Sequence, residues 1–389
     1  MKILIVCQYF YPERFRVNDI SFELVKQGHD VTVLTGLPNY PDGVVKKEYK
    51  AIRYEDINGV KVYRSWLIGR GKSNNTLFLN YISFAISSSL RVLKLKGEYD
   101  KIIVYQLSPV SMAIPGIIVK KKFKKPLIIY AHDLWPESIV SGGIQTKGIV
   151  YKIVKRISKA IYNQSDEIWL SSKMFENYFN DYLKIDKPMK HLPVYAEDLF
   201  GTIPPRENDG NTNLVFAGNI GEMQSVETIL FAANELKHRN DIFFHIVGDG
   251  SSKTKCENIK RNLELNNVVF YGSHPIERMP YYYAMADAFL ITLKNNKSIS
   301  YTLPNKVQSY MAAGKPILGS INGETAQVIA DANCGFTVNA EDYKKLANVI
   351  EMFTNINNKD ELNLNSKKYY DENYSKEKYF WNLSQILKS

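Results

Sequence analysis

A chain of 389 residues is long enough for two domains, and its balance of 45% hydrophobic to 23% charged residues excludes a disordered or fibrous protein. Three scattered cysteines, Cys7, Cys256 and Cys334, match no zinc spacing and exclude a disulfide scaffold, so free thiols in a reducing cytosolic setting are expected. The net charge of +10 lies in the first half: residues 1–200 hold 30 Lys+Arg against 19 Asp+Glu (+11), and residues 201–389 hold 20 against 21 (−1).

Residues 1–11 are apolar without the cationic start and cleavage site of a secretory leader, so residues 2–7 read as a first strand. A helix is expected over 17–27, stopped at Gly28, then a strand over 30–35. Residues 77–95 carry a helical pattern rich in Phe78, Tyr81, Ile82, Phe84, Ile86 and Leu90, and no run reaches about 20 apolar residues. Further strands are expected at 102–106, 127–131 and 167–171. Strands alternating with helices predict a doubly wound parallel sheet. Residues 201–212 are polar and rich in turn formers, which marks a linker. The pattern then restarts, with strands at 213–217, 243–247, 268–271, 288–292 and 316–320 and a helix over 226–239. The expected organisation is a first Rossmann-like domain over 1–200, a second over 205–373, and a terminal helix within 374–389 that packs back on the first. Two such sheets would face each other across a deep cleft and bind ligands at strand carboxyl ends.

Four strand-end clusters could carry chemistry. In Tyr130-Ala131-His132-Asp133-Leu134-Trp135-Pro136-Glu137, His132 follows a buried strand and could hold a substrate hydroxyl or phosphate, with Asp133 orienting it; a structural strand-end histidine is the alternative. In Gly218-Asn219-Ile220-Gly221, the glycines precede a helix and would let the backbone approach a phosphate, though the spacing is not the dinucleotide fingerprint and no Walker lysine follows. Val247-Gly248-Asp249-Gly250 is a third such turn. In Gly323-Glu324-Thr325, Glu324 could accept hydrogen bonds from a ribose or sugar hydroxyl, or simply favour a helix N-terminus. The stretch Leu303-Pro304-Asn305-Lys306-Val307-Gln308-Ser309-Tyr310-Met311-Ala312-Ala313-Gly314-Lys315-Pro316 reads as a short helix with Pro304 in its first turn, Lys306 at its anion-binding end and a glycine stop.

Together these residues resemble the retaining nucleotide-sugar glycosyltransferases of GT-B fold, glycosyltransferase family 4. The likeness rests on His132-Asp133, Gly218 to Gly221, and the run ending Met311-Ala312-Ala313-Gly314-Lys315-Pro316. More narrowly, Gln8-Tyr9-Phe10-Tyr11-Pro12-Glu13, Leu37-Pro38-Asn39-Tyr40-Pro41, the His132 cluster and Gly218-Asn219-Ile220-Gly221 resemble the branch of fucosamine and fucosyl transferases of bacterial surface polysaccharides. The resemblance implies a two-Rossmann GT-B fold in which the second domain binds the nucleotide sugar and the first the acceptor. Gly218, Asn219, Gly221, Gly248, Asp249, Pro304, Asn305, Lys306, Ser309, Glu324 and Thr325 are the expected donor-binding residues, and His132 the expected reach to the donor sugar from across the cleft. The expected substrates are a UDP-sugar and a polyprenyl-diphosphate-linked glycan, with no cofactor and, since no Asp-x-Asp pair is present, no metal.

Two departures stand out. The family's two glutamates, eight positions apart, are replaced by Tyr301 and Ser309, and Glu222 and Gln224 stand where a basic pair is usual. Lys306 and Glu324 are the candidates to cover these roles. A GT-B nucleotide-sugar 2-epimerase and a non-catalytic sugar-nucleotide-binding scaffold are the alternatives. The basic first half, densest at Lys120-Lys121-Lys122-Phe123-Lys124-Lys125, predicts contact with an anionic membrane at the cytoplasmic face. Nucleic acid is not expected, for the chain carries no reader motif.

Overall fold

A computed structural model describes residues 1–71, 73–95, 97–142, 146, 148–204 and 209–388. The chain forms two compact units, residues 1–171 with 175–191 and residues 172–174 with 192–389. The boundary after residue 191 precedes the expected linker at 201–212, of which residues 205–208 lie outside the described residues.

The first unit is built on eight strands: β1 (Lys2–Val6), β2 (Asp30–Gly36), β3 (Tyr54–Ile57), β4 (Val60–Ser65), β5 (Lys101–Gln106), β6 (Leu127–Ala131), β7 (Glu167–Leu170) and β8 (Met189–His191). Their order is β3-β4-β2-β1-β5-β6-β7-β8, parallel except for the β3–β4 hairpin. The central strands are apolar on both faces because helices cover both faces. Helix α1 (Arg16–Lys26) joins β1 to β2, whereas α2 (Asn74–Lys94), α3 (Ile114–Phe123) and α4 (Ile149–Tyr162) lead to β5, β6 and β7 in the opposite direction along the sheet. Right-handed crossovers therefore place α2, α3 and α4 on one face. Consistent with this, α2 and α4 both pack on the turn Val110–Ala113.

Loops at the carboxyl ends of β1 and β2 are joined by one buried carboxylate. Glu13 Oε1 accepts the backbone N–H groups of Asn39 (2.8 Å) and Tyr40 (2.7 Å), and Oε2 accepts that of Phe10 (3.3 Å). The two sequence stretches singled out as marks of one branch thus fold as one structural unit.

The second unit has six parallel strands: β9 (Thr212–Ala217), β10 (Ile242–Val247), β11 (Val268–Gly272), β12 (Ala288–Thr292), β13 (Ile317–Ser320) and β14 (Gly335–Val338), in the order β11-β10-β9-β12-β13-β14. The order in which strands are added reverses at β9, whose neighbours are β10 and β12, so the ligand crevice of an open α/β sheet falls beyond Ala217. The helices that matter for the site are α5 (Val226–Glu235), α6 (Lys253–Asn262), α7 (Asn305–Ala312) and α8 (Glu324–Asp331). Helix α9 (Tyr343–Thr354) packs on α5, α10 (Lys359–Asn373) packs on α7, and α11 (Lys376–Lys388) ends the chain. The terminal helix was expected on the first domain; its Tyr379 and Phe380 meet Tyr195 at 5.0 and 5.7 Å, and Tyr195 belongs to the second unit because the boundary already lies behind it. All three cysteines are buried and free.

Replacing Glu13 with Ala leaves three backbone donors without their carboxylate. At about 1–3 kcal/mol for each buried donor left unpaired, chemical denaturation should show a loss of at least about 3 kcal/mol.

Candidate functional site

The carboxyl end of β9 carries the first glycine turn. Gly218 has φ +144°, and a Cβ there would lie 3.0 Å from Lys306 Nζ. A side chain there would crowd the lysine end and hold a backbone conformation that glycine adopts without strain. Gly248, at the end of β10 with φ +146°, lies closer still: a Cβ there would stand 1.8 Å from the Gly218 carbonyl oxygen. Backbone bonds join the two turns, from Gly218 N–H to Val247 O (2.9 Å) and from Ile220 N–H to Asp249 O (2.8 Å). The side chain of Asn219 lies against Gly221 and Gly250. Asp249 points its carboxylate at Gly250 N–H (2.7 Å) and Lys253 Nζ (3.1 Å), and Lys253 holds its pKa below the usual range.

Lys306 comes from α7. That helix begins at Asn305, with Pro304 as its cap in extended conformation, not inside the first turn as expected. The proline leaves the register intact, since it has no N–H to contribute. Tyr310 fixes the helix against the strand: its hydroxyl accepts the Ala217 N–H (2.9 Å) and donates to the Ala217 carbonyl (3.0 Å), while its ring stacks on Phe289 at 3.9 Å. One turn before Tyr310, the Lys306 ammonium sits 4.1 Å above the Phe216 ring and donates to Gln224 Oε1 at 2.8 Å. Burial pulls its pKa from 10.5 down to about 7. An ammonium has three donors, and among the described residues Gln224 is its one hydrogen-bond acceptor. A desolvated cation with donors to spare, beside a helix start, is chemically suited to an anion.

The remaining expected donor-site residues are placed less directly. Ser309 is buried and donates to Asn305 O at 3.3 Å, and it also bonds the Tyr283 hydroxyl. Thr325 is fully buried and donates to Thr302 O at 3.3 Å. Glu324 opens α8 with both carboxylate oxygens engaged, accepting the backbone N–H groups of Lys173 (3.1 Å) and Met174 (2.8 Å); burial raises its pKa. The structure therefore brings Gly218, Asn219, Gly248, Asp249 and Lys306 together and shows Ser309, Glu324 and Thr325 holding the surrounding backbone.

In the first unit, His132 follows β6 with its ring between Tyr105 and Tyr130, at centroid distances of 4.1 Å to each. Its Nε2 is buried without a hydrogen-bond partner, and burial lowers its pKa to about 3, so the imidazole is neutral. Asp133 does not orient it: the Asp133 carboxylate accepts from Ser108 Oγ at 2.7 Å, because consecutive residues leaving a strand project to opposite sides. Sequence reasoning missed Gln224, Phe216, Tyr105 and Ser108; Gln224 was visible only as a departure from the expected basic pair.

The two units have the Rossmann-like folds found in GT-B proteins, and residues 203–370 match the family model described as "Glycosyl transferases group 1". Among particular relatives, the chain is 25% identical over 341 residues to the protein of Escherichia coli (strain K12) named colanic acid biosynthesis glycosyl transferase WcaI, covering 81% of this chain and 82% of that one. Among solved structures, sucrose-phosphate synthase from Thermosynechococcus elongatus superposes with a TM-score of 0.77 at 16% identity, covering 100% of this chain and 98% of that one. Anabaena HepE in complex with UDP and glucose gives a TM-score of 0.73 at 14% identity, covering all of both chains.

A methyl group at position 248 has no space without moving the Gly218 turn. Gly248→Ala should cost at least about 2 kcal/mol in denaturation, more than a surface Gly→Ala change would.

Proposed function

We propose that the chain is a glycosyltransferase that takes a sugar from a UDP-linked donor, an amino or deoxy sugar such as N-acetylfucosamine, with retention at the anomeric carbon. The acceptor is a polyprenyl-diphosphate-linked glycan at the inner face of the membrane, in the assembly of a bacterial capsule, O-antigen or exopolysaccharide. The observation that carries the reading is the Lys306 ammonium held over Phe216 beside Gly218. Likeness to proteins named for colanic acid synthesis and for UDP and glucose binding supports the substrate class.

Departure of the nucleoside diphosphate leaves charge on phosphate oxygens, and the chemical task is to stabilise it. The protonated Lys306 supplies positive charge and the start of α7 supplies backbone N–H groups, so no metal is required in this scheme. Lys306 in this reading covers for the basic pair replaced by Glu222 and Gln224, reaching the same turn from another element. The acceptor hydroxyl loses its proton to a donor phosphate oxygen as the new glycosidic bond forms and the bond to UDP breaks, which calls for no protein carboxylate as base. Glu324 acts as a positioning residue through the backbone it binds.

Calorimetric titration with UDP, GDP and CDP tests the donor site. Lys306→Ala should bind UDP about ten- to a hundredfold more weakly, the loss of a charge-assisted bond of roughly 1.5–3 kcal/mol. Equal binding by wild type and variant overturns the assignment, and tight UDP binding with no UDP released on any lipid acceptor would favour the scaffold.

The pKa of Lys306 sets a pH signature. Its folded value of about 7 lies below the ordinary 10.5, so between these values the unfolded chain binds more protons and stability of the free protein rises with pH. UDP favours the ammonium and has the opposite trend. Affinity should fall by up to about tenfold per pH unit above pH 7 in wild type and stay flat over that window in Lys306→Ala.

A further inference from the structure

We infer that α4 and α2 form one docking face that seats the first unit on an anionic lipid surface. The inference deepens the proposed function, whose acceptor is a lipid, and it rests on side chains that the donor site does not use.

Helix α4 is apolar on two sides. Tyr151, Ser158, Ile161 and Tyr162 are buried within the first unit. On the other side Ile149, Val150, Ile153 and Ile157 are 76%, 54%, 53% and 49% exposed. The i, i+4 spacing of 149, 153 and 157 makes them a stripe, and burial against the fold cannot be its purpose. Helix α2 repeats the pattern: Phe78, Ile82, Ile86 and Leu90, again four residues apart, are 61%, 39%, 57% and 61% exposed.

Charge selects the occupant. Helices α2, α3 and α4 carry nine Lys+Arg and no Asp or Glu. Among the described residues Lys152, Arg156 and Lys159 of α4 form no ion pair. Protein-binding patches are depleted in lysine, whereas an apolar stripe flanked by lysines suits the boundary between acyl chains and anionic headgroups. Each basic residue near such a surface strengthens binding by about fivefold, from about 1 kcal/mol apiece. Helix α2 is long and apolar enough to cross a membrane. It lies on the surface instead, because Asn80 donates to the Ile68 carbonyl (2.6 Å) and accepts from Gln8 (2.6 Å), and Ser83 accepts the Ile68 N–H (2.9 Å). Leaving the sheet would strip these groups of partners in hydrocarbon.

Co-sedimentation of the full chain with phosphatidylcholine vesicles, with and without phosphatidylglycerol, tests the inference. Wild type should bind the phosphatidylglycerol vesicles at about 0.01 M salt and lose most binding at about 1 M. The double variants Ile153→Asp/Ile157→Asp and Lys152→Glu/Arg156→Glu should each bind at least tenfold more weakly while keeping the melting temperature and UDP affinity of wild type. No vesicle binding by wild type, or unchanged binding by both variants, overturns the inference. So does a concentration-dependent dimer that Ile153→Asp/Ile157→Asp abolishes without any vesicle binding. UDP titration in parallel separates the two proposals, since a chain that binds UDP and ignores vesicles loses only this one.

Discussion

Tyr310 holds the Gly218 end of the second unit together. Its hydroxyl meets both the N–H and the carbonyl of Ala217, the last residue of β9, so the helix carrying Lys306 is pinned to the strand carrying Gly218 by a single fully buried ring. Lys306 and Tyr310 lie four residues apart on one helix face, and fixing one fixes the other. Without that anchor a lysine has about 2 kcal/mol of rotamer freedom to lose before it can wait beside a glycine turn. Here that cost is met on folding, and the ammonium stands ready over Phe216.

The same economy of charge is visible in the first unit. His132 is kept neutral by burial between two tyrosines, with a ring nitrogen left unpartnered. Buried polar atoms are rarely left so, and such exceptions gather where a ligand completes the bonding. Asp133, one residue on, is spent on Ser108. Tyr301 and Ser309 stand where the family that the sequence resembles carries two glutamates. Ser309 lies inside the fold, bonded to Asn305 and Tyr283, where an ionised glutamate would require a partner.

Much of the architecture was legible in the sequence because strands buried on both faces are unbroken apolar runs: 127–131 and 288–292 were read to the residue. The β3–β4 hairpin was missed, although Asn58-Gly59 between alternating segments is a strong hairpin signal; Asn58 and Gly59 take φ +52° and +83°, as such a turn requires. The short strands β8 and β14 were missed because three or four edge residues carry too little periodicity. Helix 226–239 was read four residues too long, since its polar end looks the same whether the helix continues or frays.

The sequence by itself determined two α/β sheets, the glycine turns at strand ends, and Lys306 as a cation at a helix start. These follow from local rules: apolar runs, turn residues and helix stops act over a few positions. Only the tertiary structure decided that Lys306 bonds Gln224, 82 residues away, that Glu324 binds the backbone of Lys173 and Met174, and that Asp133 serves Ser108 in place of His132. The reason is physical: a side chain's partner is chosen by strand order and by which side of the strand it leaves, and a one-residue step reverses that side.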